Sequence, residues 1–185
     1  MRPARENLTL VQGETLDRVI RLCSLLRSVS DASISISDAT LVSRSANFDA
    51  SDVGRTVMVL RAGAGGNSLI AKIASVTAFN TVELDTVASF GVTKAKCHIF
   101  IPTDLTGYTI GSDVRESDAE DAALVISLTV TFYPLEGKIV RSIAAEDSIL
   151  LPVGLWFHDL RLTDSLDAVS VRTRGVFAIL PRITQ

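Results

Sequence analysis

Three short stretches carry residue types that could do chemistry. Ala62-Gly63-Ala64-Gly65-Gly66-Asn67-Ser68 has the glycine content of a loop that cradles phosphate, but no Lys-Ser or Lys-Thr follows its last glycine and apolar, β-branched residues flank it. A hairpin tip is the expectation there. Asp113-Val114-Arg115-Glu116-Ser117-Asp118-Ala119-Glu120-Asp121 offers carboxylates to a hard cation, yet it lacks the spacing of an EF-hand loop and is expected to be a solvated connection between strands. His158 and Asp159 are adjacent, so on a strand they face opposite sides and cannot form a dyad with each other. His158 shares the parity of Trp156 and Leu160 and is expected to pack at the edge of a core.

The remaining candidates are sparse. The cysteines are Cys23 and Cys97 and the histidines His98 and His158, far apart in sequence and without the paired spacing of a zinc site. Both thiols are expected to be buried and to stay reduced, although their places near the seam between modules would let them approach. No pair of carboxylates is marked out for glycosidic cleavage. The expectation is therefore of no catalytic residue, no cofactor and no metal.

The elements around these residues follow from period. In Trp156-Phe157-His158-Asp159-Leu160-Arg161-Leu162, Trp156, Leu160 and Leu162 share one face while Asp159 and Arg161 share the other, the alternation of a half-buried strand. The same test predicts strands over 124–132 and 168–180, with a bulge or bend at Gly175. Residues 8–22, broken at Gly13, also read as two short strands, and 109–116, 137–143 and 154–163 as the further strands of a sandwich. Only 144–150 predicts helix: one turn opened by Glu146-Asp147 and stopped by Pro152. The fold class is all-β, with strands spaced as in a sandwich whose core includes Val19, Leu22, Leu128, Val130, Trp156, Leu160, Leu162, Val176 and Ala178.

The chain has 185 residues, 47% of them hydrophobic and 21% charged, enough for one large or two small domains with real cores. Its formal net charge of -3 gives no electrostatic reason to expect nucleic acid or an anionic membrane as partner. No apolar run approaches the roughly 18 residues of a membrane span, and Met1-Arg2-Pro3-Ala4-Arg5-Glu6 lacks a signal peptide's apolar stretch.

Composition changes inside the chain. Residues 28–101 hold six acids and six bases, and are rich in Ser, Ala, Val and Thr. This segment is expected to be a separate small β domain set into a host made of residues 1–27 and 102–185. In the host, Gln12-Gly13-Glu14-Thr15 before one strand, Asp104-Leu105-Thr106-Gly107-Tyr108 before the next, Ala144-Ala145-Glu146-Asp147 before a Leu-Pro turn, and the 156–164 strand occur in an order that resembles the immunoglobulin-like domain of tail and baseplate proteins of tailed bacteriophages. It is similar to the N-terminal module of phage baseplate upper proteins. In the insert, Phe48-Asp49-Ala50-Ser51-Asp52-Val53-Gly54, the glycines at 63–66 and the strands at 70–73 and 81–84 resemble a small β module of phage tail and tail-spike proteins. There the Phe-x-x-x-Asp-Val-Gly element turns the chain into a strand and the later strands make a compact half-barrel, with Gly54 relieving a tight turn.

These resemblances imply an immunoglobulin-like sandwich carrying an inserted barrel-like domain, and a structural virion protein of tail, baseplate or fibre attachment. Such a protein, assembled in the host cytoplasm, would contact other virion subunits and further copies of itself. Capsid decoration and a glycan-binding accessory are the alternatives, the latter disfavoured by an aromatic content of 5%. Residues 1–7 and 181–185 fall outside the strand pattern and are expected to be docking arms.

Overall fold

A computed structural model describes residues 4–119 and 121–182 of an all-β chain. Its strands in chain order are β1 (Ala4–Arg5), β2 (Leu8–Val11), β3 (Leu16–Arg21), β4 (Cys23–Ile34), β5 (Thr40–Val42), β6 (Thr56–Val59), β7 (Leu69–Ala78), β8 (Thr81–Leu84) and β9 (Val92–Pro102). They continue as β10 (Thr109–Gly111), β11 (Asp113–Arg115), β12 (Leu124–Ser127), β13 (Thr129–Tyr133), β14 (Lys138–Ile143), β15 (Gly154–Thr163) and β16 (Val169–Leu180), with one turn of α-helix among the described residues, α1 (Ala145–Ser148), before β15. The chain forms two compact units: Cys23–Thr103, and the flanking residues up to Leu22 and from Asp104 onward.

The first unit is a closed barrel in the order β4-β5-β8-β7-β6-β9, where a half-barrel was expected. Strand alternation fills it: Val57, Val59, Ile73, Val82, Cys97 and Ile99 are buried, with the residues between them facing outward. Burial pushes the Cys97 thiol up to about 12. Cys23, exposed where a buried thiol was expected, pairs with Pro102 while Cys97 pairs with Val29, so the ladder holds the two cysteines apart. The glycine loop joins β6 to β7, an antiparallel hairpin, and Gly65 and Gly66 take φ of 65° and 78°.

A 3-10 turn, Ala50–Asp52, delivers the chain into β6. Asp49 caps it by accepting from the Ser51 amide at 2.7 Å, and the buried Asp52 carboxylate accepts from the Asp49 amide at 3.1 Å and pairs with both Arg27 and Arg55. Gly54 leaves this turn with φ of 83°, which explains the glycine at the end of the Phe-x-x-x-Asp-Val-Gly element.

The second unit is a two-sheet sandwich. Seven strands form the larger sheet, β1-β16-β15-β11-β12 with β2 beside β16 and β10 beside β15; the smaller is β13-β14-β3. Leu8, Leu10, Val114, Leu160, Leu162, Phe177 and Ile179 from the larger sheet meet Ile139 and Ile143 from the smaller.

Several expectations need correction. The seams fall at 22/23 and 103/104 instead of 27/28 and 101/102, because β4 and β9 are paired from Cys23↔Pro102 onward and that ladder, through its register shifts at Leu25/Arg27, Val29/Ala32 and Ala32/Ile34, continues into the barrel. The 124–132 segment is two strands, β12 and β13, in different sheets; buried Leu128 sits where the chain crosses between them. Likewise 109–116 divides into β10 and β11 at buried Ser112. Val19 is 51% exposed, and Val176 and Ala178 face outward while Phe177 and Ile179 fill the core. Trp156 points inward but is only partly buried, its Nε1 donating to the Pro152 carbonyl at 3.1 Å. Residues 4–7 are not a free arm: β1 and β2 both pair in parallel with β16, and the Glu6 amide donates to the Arg174 carbonyl at 3.1 Å. Residues 1–3 and 183–185 of the expected arms lie outside the described residues.

Because Cys23 and Pro102 are register partners, about 5 Å separates their Cα atoms. Replacing Cys23–Thr103 with a short Gly-Ser linker should therefore leave a sandwich that unfolds cooperatively. Calorimetry of the deletion protein checks this, and a scan without a cooperative transition would count against it.

Candidate functional site

The β15–β16 ladder organises both faces of the larger sheet. A register shift between Leu160 and Arg161 sets Leu160 opposite Thr173 and Arg161 opposite Val171, placing an extra residue, Arg172, on β16. Past this bulge Arg174, Val176, Ala178 and Leu180 face outward, opposite the inward Thr173, Phe177 and Ile179. On β15 the inward set is Trp156, His158, Leu160 and Leu162 and the outward set is Leu155, Phe157, Asp159 and Arg161.

The inward face holds a buried polar network. Arg141, from β14 in the opposite sheet, is fully buried. Its Nη2 donates to Glu6 Oε2 at 2.7 Å, and its Nη1 lies 3.3 Å from Ser112 Oγ and 3.2 Å from His158 Nδ1. Since arginine can only donate, Nδ1 must accept, so Nε2 carries the proton and donates to the Glu6 carbonyl at 2.6 Å. Ser112 Oγ donates in turn to the Asp159 carbonyl at 2.6 Å, and Arg18 Nε closes on the other Glu6 oxygen at 3.0 Å. Burial is the main cause holding the His158 pKa below its ordinary value, and the Arg141 charge adds to it. Burial also pulls the Arg141 pKa down, with Glu6 opposing it. With both ring nitrogens engaged, His158 has no free position for proton transfer to a substrate. Sequence reasoning placed His158 at the core edge but missed its partners.

Gly175 belongs to the same arrangement. A Cβ at that position would overlap the Glu6 carbonyl oxygen, so the glycine admits a close approach of backbone rather than making a bend.

The outward face carries a groove of about 670 Å³. Its floor is apolar: Phe157 and Val176 are cross-strand partners, and Val169 and Val171 extend the surface. On the β11 side Asp113 accepts from Ser127 Oγ at 2.8 Å and Arg115 Nη2 at 2.9 Å and pairs with Arg161, which also reaches Asp159 at 3.4 Å. Burial alone would raise the Asp113 carboxyl; the Ser127 and Arg115 hydrogen bonds and the Arg161 charge outweigh it and keep it below the usual carboxylate range. Two acids thus balance two arginines. On the β1 side Arg5 and Arg174 are register partners and both line the groove, and among the described residues neither guanidinium lies within ion-pairing distance of a carboxylate. Ser117, Asp118 and Ala119, from the loop after β11, also line the groove. Neither Arg5 nor Arg174 stands out in the sequence; the groove exists only once β1 lies beside β16.

The other candidates stay apart. The glycine loop, Cys23, Cys97 and His98 belong to the barrel, where the His98 and Phe100 rings meet tilted by 44° with centroids 6.1 Å apart. Among the described residues no group of three or more His, Cys, Asp or Glu side chains is placed to hold a metal ion, and no helix is long and apolar enough to cross a membrane.

No family model and no curated protein matches this chain. One similar solved structure is a family 123 glycoside hydrolase from Clostridium perfringens, 8% identical, with a TM-score of 0.30 over 98% of this chain and 24% of that one. A likeness at that level carries no argument about this chain.

A depressed folded-state pKa means that the unfolded chain binds the proton first, so the stability held by neutral His158 is present above its unfolded pKa and is lost as pH falls through the folded one. Thermal unfolding temperature should therefore drop between about pH 7 and about pH 5 more steeply in the native chain than in His158→Gln. Parallel pH profiles for the two proteins would contradict this reading of the network.

Proposed function

We propose that the chain is a non-enzymatic structural component of a tailed-bacteriophage particle, a tail, baseplate or fibre-attachment subunit that works by joining protein surfaces. The observation that carries the assembly reading is the open outer face of the β15–β16 ladder. Leu155 is 72% exposed there and Leu180 44%, in line with Phe157 and Val176 on the same face. Water gains by leaving such a surface, and a continuous apolar sheet face is what a subunit buries against a neighbour. The particle context rests on the resemblances of the host and insert segments to phage tail modules. Their arrangement as a sandwich interrupted by a barrel suits a subunit that presents two separate surfaces.

A host-glycan accessory fits less well. Sugar platforms use exposed planar aromatic side chains; of the two aromatic rings among the described groove residues, Phe157 offers a purely apolar ring and His158 is buried. An enzymatic reading has less support still, since His158 is held on both nitrogens and the groove acids Asp113 and Asp159 are held by arginines.

Purified particles labelled with an antibody against this chain test the proposal. Label at the tail or baseplate is the expected result, label over the head would mean capsid decoration, and particles that lack the chain would reject a virion role.

A further inference from the structure

The groove on the outer face has a charge arrangement that folding alone does not explain. Arg5 and Arg174 stand directly beside each other in the β1–β16 ladder, and like charges in that position destabilise a sheet. Asp159 is the register partner of Arg174 on the other side, yet its carboxylate is turned to Arg161 and to the Asp113 amide. Among the described residues two guanidinium forks are thus left without a carboxylate partner at one end of an apolar floor, while Asp118 lines the groove from the loop after β11.

We propose that this groove receives an extended acidic segment of a partner protein, with a carboxylate on Arg5 and Arg174 and an apolar side chain on Phe157 and Val176. The guanidinium fork matches a carboxylate bidentately, and two side by side fix both its position and its orientation. Spacing sets the pattern. Arg174 and Val176 are successive outward residues on β16, roughly 6.7 Å apart, and alternate side chains of an extended peptide repeat at the same distance. The recognised segment therefore carries Asp or Glu two positions from an apolar residue. A peptide is favoured over an acidic sugar because the floor is aliphatic apart from Phe157. This rests on the assembly reading only for the partner being a protein, since the groove can be tested without a particle.

A randomised hexapeptide display library panned on the intact purified chain makes the test. Enriched sequences should place Asp or Glu two residues from Leu, Ile, Val or Phe. A synthetic peptide of the enriched sequence should lose at least tenfold in affinity for the Arg5→Gln/Arg174→Gln variant, and part of that for Arg5→Lys/Arg174→Lys. The Gln variant should fold, since it relieves a like-charge contact; if its thermal transition is lost, Phe157→Gln on the same outer face takes its place with the same expected loss. Enrichment of sequences without acids, affinity unchanged in the variant, or no enrichment at all would each overturn the proposal. So would polygalacturonate binding that needs both arginines while no peptide is selected. Peptide binding that holds while particles lack the chain would separate this site from the virion reading.

Discussion

A guanidinium buried between two sheets is the constraint on which the sandwich depends. Arg141 belongs to the smaller sheet, and every group that compensates it comes from elsewhere: Glu6 from the segment between β1 and β2, His158 from β15, and Ser112 from the break between β10 and β11. Removing a cation from water costs several kcal/mol, so the arrangement is stable only with its partners in place. Once formed it orders the fold. Glu6 must lie over Gly175, which sets β1 and β2 beside β16, and the Ser112 hydroxyl must face inward, which divides the strand that period alone would make continuous.

The same alternation connects this network to the groove. His158 turns in and Asp159 turns out, and Thr173 turns in and Arg174 out, so a residue fixed by Arg141 fixes its neighbour on the other face. Arg5 reaches the groove because Glu6, one residue later, is held by Arg141, Arg18 and His158. A segment that looks like a polar tail in the sequence thus becomes a sheet edge that contributes to the outer surface. In the barrel, Asp52 plays a comparable part at smaller scale, binding Arg27 of β4 and Arg55 beside β6 while Arg27 also lies 5.6 Å from the Phe48 ring.

Much of this was legible from residue order. Period two located β15, the break at Gly13 separated β2 from β3, and Glu146-Asp147 with Pro152 located α1. What was not legible has specific causes. Apolar and polar residues go on alternating in sequence through Leu128 although β12 and β13 lie in different sheets, so the pattern does not mark the change of sheet. One bulge on β16 reverses parity, which moved Val176 and Ala178 to the outside. Arg141 did leave a signal: Ile139, Arg141 and Ile143 share a face, and a charged residue at an inward position announces a buried counter-charge. Its partner, Glu6, is 135 residues away and could not be paired with it from sequence.

A double-mutant cycle between Glu6 and Arg141 tests the central claim most directly. Urea unfolding of Glu6→Gln, Arg141→Met, the double variant and the native chain gives the coupling energy. A buried pair that organises the sandwich predicts a coupling of about 2 kcal/mol or more, the double variant being less damaged than the sum of the single ones. Additive losses, within about 0.5 kcal/mol, would mean that the two residues act independently and that the sandwich does not depend on their contact.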